Sequence, residues 1–285
     1  MKIIKYAHFV MGTSDSFAVF FSEFLYLFKR IFLRIILGKK RRNSWFANRK
    51  DGRLTSVSKD AILIKNEQGI KYWIRPTEWD FFVVSTNCEP NVLSKFTPKN
   101  GDIVLDVGAN IGKYAIHCGN LVGKTGKVYA FEPSVKPFEL LNKSINENNL
   151  DDIVFPINSA VSNYNGKSKL YYSTEEPIAS LIYKLSNNFV TIDATTLDSF
   201  VENNNITKID WIKIDVEGAE YDVFLGASKT LKKYNAKLIF EVLKVNENKI
   251  LNFLNSIGYS VTQLDSYHTE EFTNQGFANY FAEKI

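Results

Sequence analysis

Hydrophobic and polar positions alternate regularly from about residue 100 onward, where short apolar runs are separated by longer amphipathic stretches. The apolar runs have the length of strands, and the amphipathic stretches have the period of helices. The predicted strands are residues 103–106, 127–131, 153–157, 210–214 and 237–242, and the predicted helices are residues 113–121, 136–147 and 220–233. Strands that are apolar on both faces and alternate with helices are typical of a doubly wound parallel sheet. The predicted fold class is therefore α/β.

Two further segments extend this domain. An insertion at about residues 161–205 is predicted to form strands and a loop that cover one side of a ligand site, and a helix near 248–257 begins the C-terminal part. The strand-like pieces are 169–172 and 189–192 in the insertion, and 259–264 and 279–284 at the end of the chain. The last two pieces suit an antiparallel hairpin at the sheet.

The N-terminal part differs in composition from the rest. Residues 17–37 are rich in Phe, Leu and Ile, but charged residues interrupt this run before it reaches the length of a membrane-spanning helix. On a helix these charges lie near one stripe and leave a wide apolar face, and a basic run follows at residues 39–42. Residues 17–42 therefore suit an in-plane helix on an anionic membrane, or a helix that packs on the main domain or on a second subunit of a homodimer.

A hairpin is predicted between this extension and the main domain. Residues 61–64 and 70–74 read as strands around a polar turn with Gly69, and we expect the hairpin to pack beside the main sheet. The predicted domains are an amphipathic basic extension at 1–50, the hairpin and lead-in at 51–99, and the main domain at 100–285.

Composition restricts the class of protein. The chain has 285 residues, 45% hydrophobic and 23% charged, which suits one large globular domain with an extension. The net charge of +4 comes largely from the N-terminal extension, whereas a nucleic-acid-binding protein would carry basic charge across its body, so no nucleic-acid partner is favoured. The two cysteines provide neither a disulfide framework nor metal-ligand spacing, and no cleavable signal is recognisable. We therefore expect a cytoplasmic location, with peripheral contact to the cytoplasmic face of the membrane as the alternative.

The most informative motif is the sequence Asp-Val-Gly-Ala-Asn-Ile-Gly of residues 106–112, which follows a strand and opens a helix. Such a loop lets a ligand approach backbone N–H groups closely, although it can also be only a tight turn. Asn110 stands where a dinucleotide fingerprint has a further glycine, and Tyr114 stands where a P-loop has Ser or Thr. The carboxylate of Asp106 would repel a pyrophosphate but attract an ammonium or sulfonium group. The loop therefore indicates S-adenosylmethionine.

A second acidic residue supports this interpretation. Glu132 ends the strand 127–131 and lies twenty residues after Gly112. This is the spacing at which a carboxylate in such a unit hydrogen-bonds a ribose diol. A C-terminal antiparallel hairpin would then distinguish a class I methyltransferase from a dehydrogenase of similar topology.

A second motif occupies residues 212–220, again at the end of a buried strand and the start of a helix. Asp215 and Glu217 should therefore lie at the carboxyl edge of the sheet, where ligands bind in open α/β folds. Strand alternation places Lys213 and Asp215 on the same side. The alternative is that the carboxylates only stabilise the helix N-terminus.

With these motifs the chain resembles the FkbM family of class I, S-adenosylmethionine-dependent methyltransferases. The resemblance covers about residues 80–245, and it implies a Rossmann-like, mostly parallel seven-stranded sheet with helices on both faces. The matching features are Glu89-Pro90, Asp106 to Gly112, Phe131-Glu132-Pro133, Thr196-Leu197-Asp198 and Lys213 to Glu220.

The resemblance also implies a cofactor site. The residues that would hold the methionine part are Asp106, Gly108, Asn110 and Gly112, and the predicted set also contains Glu89, Ala109, Pro133 and Asp215. Glu132 would bind the ribose, with Ser134 beside it. Asn158 and Ala160 would lie at the adenine pocket. Ser134, Asn158 and Ala160 can equally be cap or turn residues.

Methylation of a hydroxyl requires removal of its proton, so a carboxylate near the site is useful as general base. Asp215 is the first candidate, followed by Glu217 and Glu241, and Lys213 belongs to the same predicted catalytic group. A histidine-containing turn often follows the strand of Glu241 in this family, and here it is absent.

A magnesium ion is the alternative means of activating the hydroxyl. The carboxylates of the catalytic group, with Glu89, could bind Mg²⁺, but nothing fixes an octahedral ligand set, and no metal site is predicted.

The sequence thus predicts an O-methyltransferase that acts on a hydroxyl of a small molecule or glycan, with a sugar or glycolipid precursor as the expected acceptor. The acceptor class depends on the family resemblance alone. The alternatives are an RNA 2′-O-methyltransferase and a non-catalytic binding protein that keeps the fold.

Overall fold

The computed structural model describes residues 61–75, 78–172, 179–182, 187–265, 268–269 and 276–285. The predicted amphipathic helix of residues 17–42 lies outside these residues. No helix within the described ranges is long and apolar enough to cross a membrane. The chain divides into two compact units, the first ending at Cys88 and the second comprising Glu89–Ile285.

The first unit contains the predicted hairpin. Strands β1 (Ile62–Lys65) and β2 (Lys71–Ile74) pair antiparallel, and helix α1 (Glu78–Val84) follows. Asn66 shapes the turn, because its side-chain oxygen accepts hydrogen bonds from the backbone N–H groups of Gln68 and Ile70, both at 3.0 Å. The prediction of a hairpin is confirmed.

The second unit alternates strands and helices. In chain order its elements are α2 (Pro90–Lys95), β3 (Ile103–Val107), α3 (Lys113–Val122), β4 (Lys127–Phe131), α4 (Val135–Glu147), β5 (Val154–Ile157), β6 (Ala160–Val161), β7 (Gly166–Tyr172), β8 (Ala179–Ser180), β9 (Phe189–Thr195), α5 (Leu197–Asn203), β10 (Trp211–Ile214), α6 (Glu220–Gly226), α7 (Ser228–Lys233), β11 (Lys237–Leu243), α8 (Lys244–Ser256), β12 (Tyr259–Gln263), β13 (His268–Thr269) and β14 (Gly276–Lys284). All the strands predicted for the core of the domain are present, and so are the helices predicted at 113–121 and 136–147, with bounds shifted by at most a few residues.

The main sheet has the strand order β12-β14-β11-β10-β3-β4-β5, and the two-residue strand β13 adds to β14. Strands β11, β10, β3, β4 and β5 pair in parallel, whereas β14 is antiparallel to both of its neighbours. The predicted seven-stranded, mostly parallel sheet and its C-terminal antiparallel pair are confirmed. Because the parallel strands run in one direction, their carboxyl ends meet at one edge, where the loops after β3, β4 and β10 come together.

The insertion forms a separate sheet of order β6-β9-β7-β8. Its strands β7 and β9 are longer than predicted, because they pair with each other from Gly166 to Tyr171. Helix α5, which was not predicted, follows at once. The hydroxyl oxygen of Thr196 accepts a hydrogen bond from the backbone N–H of Ser199 at 3.0 Å and so caps this helix.

The predicted helix of residues 220–233 is wrong as a single element, since α6 and α7 are separate helices. The reason is tertiary packing at Gly226, where an added Cβ would lie 2.0 Å from the carbonyl oxygen of Ser162. The carboxylate of Asp198 then caps α7 by accepting hydrogen bonds from the backbone N–H groups of Lys229 and Thr230, at 3.0 and 2.7 Å. The Thr-Leu-Asp motif of the insertion therefore serves helix capping.

Candidate active site

The glycine loop after β3 is held by the two neighbouring strands. The N–H groups of Gly108 and Ala109 both donate to the carbonyl oxygen of Phe131, at 3.0 and 2.8 Å, and the N–H of Asp215 donates to the carbonyl oxygen of Val107 at 2.9 Å. Gly108 has a φ of 85°, and a Cβ there would lie 1.8 Å from the carbonyl oxygen of Asp215. A glycine is therefore required at this position by the backbone of the loop after β10.

A different contact explains the second glycine of the motif. Gly112 has a φ of 96° and begins helix α3. A Cβ at Gly112 would lie 2.6 Å from Cδ1 of Leu141 in helix α4. Both glycines thus permit close packing of protein on protein, which leaves the polar atoms of the loop to face a ligand.

Buried acceptor atoms in this loop are without hydrogen bonds. Among the described residues, neither side-chain oxygen of Asp106 nor Oδ1 of Asn110 has a hydrogen-bond partner. Burial, together with Asp215, raises the pKa of Asp106 to about 6, although Lys213 and the backbone N–H of Ala115, which does not reach hydrogen-bond geometry, act in the opposite direction. Unpaired buried acceptors are costly. This part of the site therefore fits a ligand that brings an ammonium group.

Glu132 lies beside the same loop, at the end of β4. One carboxylate oxygen accepts a hydrogen bond from the backbone N–H of Asn110 at 2.9 Å, and the other accepts one from the backbone N–H of Ser134 at 2.7 Å. A carboxylate has about four acceptor positions, so these bonds orient Glu132 and still permit it to accept bonds from a ribose diol.

The structure places three further cofactor candidates after strands β4 and β5. Ser134 is buried and begins helix α4, but its side chain makes no capping hydrogen bond. The amide nitrogen of Asn158 donates to the carbonyl oxygens of Glu132 and Pro133, at 2.8 and 3.2 Å, so Asn158 orders the turn after β4. Ala160 begins β6 and packs in the small core of the insertion sheet. Their contact with a cofactor stays a prediction.

Glu89 is surrounded by donors of the protein itself. It precedes α2 with a left-handed φ of 52°, and its Oε2 accepts hydrogen bonds from Nζ of Lys113 at 2.9 Å and from the hydroxyl of Tyr114 at 2.8 Å. Burial would raise the pKa of Glu89, but the two lysines Lys113 and Lys213 and these hydrogen bonds outweigh it and lower the pKa to about 2. Glu89 is therefore an anion at any physiological pH.

Lys213 and Asp215, which strand alternation places on the same side, form an ion pair. Nζ of Lys213 lies 3.0 Å from Oδ2 of Asp215, and the side chains are 4% and 29% exposed, respectively. Burial would lower the pKa of Lys213, but the carboxylates of Asp215, Asp106 and Glu89 outweigh it and raise the pKa well above its ordinary value. A permanently charged ammonium group therefore lies among three carboxylates, and only Asp215 of the pair is accessible to solvent.

Side chains from three elements hold the loop after β10. Glu217 has a left-handed φ of 52°, and its carbonyl oxygen accepts a hydrogen bond from the hydroxyl of Ser180 at 2.8 Å. The carbonyl oxygen of Gly218 accepts a bond from the amide of Asn246 at 3.0 Å, and its N–H donates to Oε1 of Glu220 at 2.6 Å. Burial raises the pKa of Glu220 to about 7. The backbone that carries Glu217 is thus restrained on both sides.

Glu241 lies on the neighbouring strand β11 and faces the same carboxylates. It does not end the strand as predicted, because β11 continues to Leu243 through its pairing with β14. Burial, with Asp215 and Glu217 as the next largest influences, raises the pKa of Glu241 well above its ordinary value. The predicted convergence of Glu241 with Asp215 and Glu217 is therefore present.

Metal binding finds little support in this arrangement. Within the part of the chain that the structure describes, no group of three or more His, Cys, Asp or Glu residues is arranged to hold a metal ion. The positive charge among the carboxylates is instead that of Lys213.

The parallel sheet with an antiparallel strand between β11 and β12, and an acidic loop built to receive a cation at its carboxyl edge, define a class I methyltransferase. A model of the methyltransferase FkbM domain matches residues 106–261, more than half of the 285 residues. The chain belongs to the FkbM methyltransferase family, and its methyl donor is S-adenosylmethionine. The unpaired oxygens of Asp106 and Asn110 fit the amino group of this donor, and Glu132 fits its ribose.

The individual proteins that match this chain share little sequence identity with it. The hexuronic acid methyltransferase AglP of Haloferax volcanii is 29% identical over 139 residues, which are 48% of this chain and 55% of AglP. This chain thus matches about half the length of that relative. Among solved structures, methyltransferase FkbM from Methylobacillus flagellatus KT is 14% identical with a TM-score of 0.49, covering 70% of this chain and 47% of that one. The tRNA m1G37 methyltransferase of M. jannaschii is 13% identical with a TM-score of 0.48, covering 81% and 59%.

Several residues at the site escaped the sequence-based prediction. Lys113 and Tyr114 directly follow the glycine motif, and their position at the start of α3 could have indicated them. Ser180 and Asn246 lie far from the motifs in sequence and carry no signal of their own. They reach the loop after β10 only through the insertion sheet and helix α8.

Proposed function

We propose that this methyltransferase acts on a hydroxyl group of a sugar or glycan precursor, with Asp215 as the general base. The printed name of AglP, a hexuronic acid methyltransferase, supports a carbohydrate acceptor. The observation that carries the proposal is the position of Asp215, whose backbone lies against the glycine loop and whose carboxylate is 29% exposed. An acceptor hydroxyl that enters the crevice can reach this carboxylate beside the donor site.

The methyl donor and the protein have different roles in the proposed reaction. Bound S-adenosylmethionine supplies a methyl group on a positively charged sulfur. Asp215 accepts the proton of the attacking hydroxyl, and the ammonium group of Lys213, 3.0 Å from Oδ2 of Asp215, holds this carboxylate in position. The loop after β3 and the restrained loop after β10 fix the relative positions of the two reactants, and such orientation can lower a barrier by several kcal/mol, on the order of 7 or more in the best cases.

The neighbouring carboxyl groups are less suited to accept a proton. The pKa of Glu220 is raised to about 7, so this group holds a proton for much of the time near neutral pH, and burial beside other carboxylates raises the pKa of Glu241 as well. A protonated carboxyl group can donate a hydrogen bond to the acceptor but cannot remove its proton. This leaves Asp215 as the base, with Glu217 as the remaining alternative.

A labelled-methyl transfer assay tests the proposal. The protein is incubated with S-adenosylmethionine carrying a labelled methyl group and with a panel of uronic acids, neutral sugars, lipid-linked glycans and RNA. We expect label on a carbohydrate oxygen. Label on nitrogen or carbon, or on RNA alone, would refute the proposed reaction.

Asp215→Asn tests the assignment of the base. Turnover should fall by about two to four orders of magnitude, because the amide cannot accept the proton, while the affinity for S-adenosylmethionine is retained. Asp102→Asn is the matched control, since Asp102 also lies near a lysine, Lys208 at 3.7 Å, but precedes β3 at the opposite edge of the sheet. Normal turnover of Asp215→Asn would remove this residue from the mechanism.

A further inference from the structure

A row of side chains crosses the insertion sheet and ends at the loop of Glu217. Phe189 of β9 lies opposite Tyr171 of β7, and Tyr171 lies opposite Ser180 of β8. Directly opposed residues of antiparallel strands have their side chains on the same face of the sheet. The hydroxyl of Ser180 donates to the carbonyl oxygen of Glu217 at 2.8 Å. The face that carries Phe189 and Tyr171 is therefore continuous with the loop of the active site.

The accessible part of this row is aromatic. The ring centroids of Tyr171 and Phe189 are 5.8 Å apart, and Phe189 is 45% exposed. The core of the insertion sheet lies on its other face, where Leu170 and Ile192 are buried. The two aromatic rings thus lie on the face opposite that core.

A lysine adds positive charge beside the rings. Nζ of Lys169 lies 4.4 Å from the ring centroid of Phe189. Lys167, on the same face, pairs with Asp193 at 2.7 Å, whereas the structure records no ion pair for Lys169 within the described residues. Lys169 thus places a positive charge beside the aromatic pair.

We propose that Phe189, Tyr171 and Lys169 form a subsite for an acidic glycan chain, which binds a sugar next to the one that is methylated. This proposal rests on the proposed function. Phe189 lies two strand spacings, about 10 Å, from Ser180 at the Glu217 loop. That distance is too long for the ring whose hydroxyl faces Asp215, and it suits a neighbouring ring of the same chain. The aromatic faces contact the apolar C–H face of that sugar, and Lys169 contacts its carboxylate.

Calorimetry with galacturonic acid and trigalacturonic acid tests the subsite in the full-length protein saturated with S-adenosylhomocysteine. The trimer should bind wild-type protein at least about tenfold more tightly than the monomer, a ratio that corresponds to about 1.4 kcal/mol. Phe189→Ala should abolish this advantage and leave the affinity for the monomer unchanged. Lys169→Gln should weaken binding of the trimer but not of α-1,4-linked galactotriose, its neutral counterpart.

Leu121→Ala is the matched control for loss of an exposed apolar side chain. Leu121 is 40% exposed and lies near the end of α3, far along the chain from the insertion, so this variant should bind both sugars as the wild type does. Sedimentation velocity on every variant reports self-association through the same face.

Three results would overturn the subsite. They are equal affinities of the wild type for trimer and monomer, an unchanged ratio in Phe189→Ala, and a change in Phe189→Ala that is confined to the oligomeric state. Failure of the proposed function is a separate result. It would appear as label on nitrogen or carbon in the transfer assay, whether or not the trimer binds through Phe189.

Discussion

Replacing Asp106 by Asn should stabilise the protein without its methyl donor while it weakens binding of the donor. Asp106 is fully buried, its oxygens lack hydrogen bonds within the described residues, and its pKa is raised from an ordinary 3.8 to about 6. The native state therefore holds a proton at pH values where the unfolded chain has already lost it. Stability should fall as the pH rises from about 4 to about 6, and above this window the ionised carboxylate costs the empty site about 3 kcal/mol.

Urea denaturation at pH 5 and pH 8 measures this effect. At pH 8 the Asp106→Asn variant should be more stable than the wild type by up to about 3 kcal/mol, and at pH 5, midway through the window, the difference should fall to about half of this. Saturating S-adenosylmethionine should reverse the order, because its ammonium group pairs with the carboxylate of the wild type only. Stability falls where activity requires an unpaired charge, which is a common trade-off in enzymes.

Asp198→Asn is a control that should change stability in the opposite direction. The carboxylate of Asp198 accepts two backbone hydrogen bonds at the start of α7. Its replacement should lower stability by about 0.5–1 kcal/mol, because it removes a negative charge from a helix N-terminus. Equal stability of Asp106→Asn and the wild type at pH 8, or equal affinity for S-adenosylmethionine, would refute the reasoning about Asp106.

Three further predictions follow from the same site. The affinity for S-adenosylmethionine should fall about tenfold between pH 8 and pH 5, measured by calorimetry, because the pKa of Asp106 is about 6 and only the ionised form attracts an ammonium group; a flat profile would contradict this role. Gly108→Ala should lower the urea midpoint by an amount equivalent to more than about 3 kcal/mol. The reason is that a Cβ would lie 1.8 Å from the carbonyl oxygen of Asp215, at a residue with a left-handed φ. A midpoint within error of the wild type would show that the loops separate easily. Tyr114→Phe should lower the free energy of unfolding by about 1.5–3 kcal/mol in the same measurement, since it removes a hydrogen bond to the charged carboxylate of Glu89. An unchanged midpoint would mean that another donor replaces the tyrosine hydroxyl.

Much of the fold was predictable because its signals are local. Apolar runs on both faces of a strand identify the parallel core, and all five core strands were found within a few residues of their bounds. Helix α5 was missed, and residues 220–233 were taken for one helix. The division of residues 220–233 depends on a contact that is distant in sequence, between Gly226 and Ser162, whereas α5 is only seven residues long and its Thr196 cap is local.

The sequence also predicted where the carboxylates converge, since Asp106, Asp215 and Glu241 each occur at or near the carboxyl end of a parallel strand. It could not predict their charge states. The pKa of Glu89 is lowered to about 2 while that of Glu220 is raised to about 7, because the first lies beside two lysines and the second is buried without a cation. Such differences depend on side chains that only the folded chain brings together.

By itself the sequence determined the α/β class and the family, and it predicted where the methyl donor binds, because strand period, glycine spacing and acidic residues at strand ends are properties of short segments. The tertiary structure alone decided three things. It showed that Gly108 is needed by the backbone of Asp215, that Lys213 supplies the positive charge among the carboxylates, and that Ser180 of the insertion sheet reaches the loop of Glu217. The first and third depend on contacts between segments that are distant along the chain, and the second depends on the approach of Asp106 and Glu89 to Lys213. No local pattern encodes such proximity.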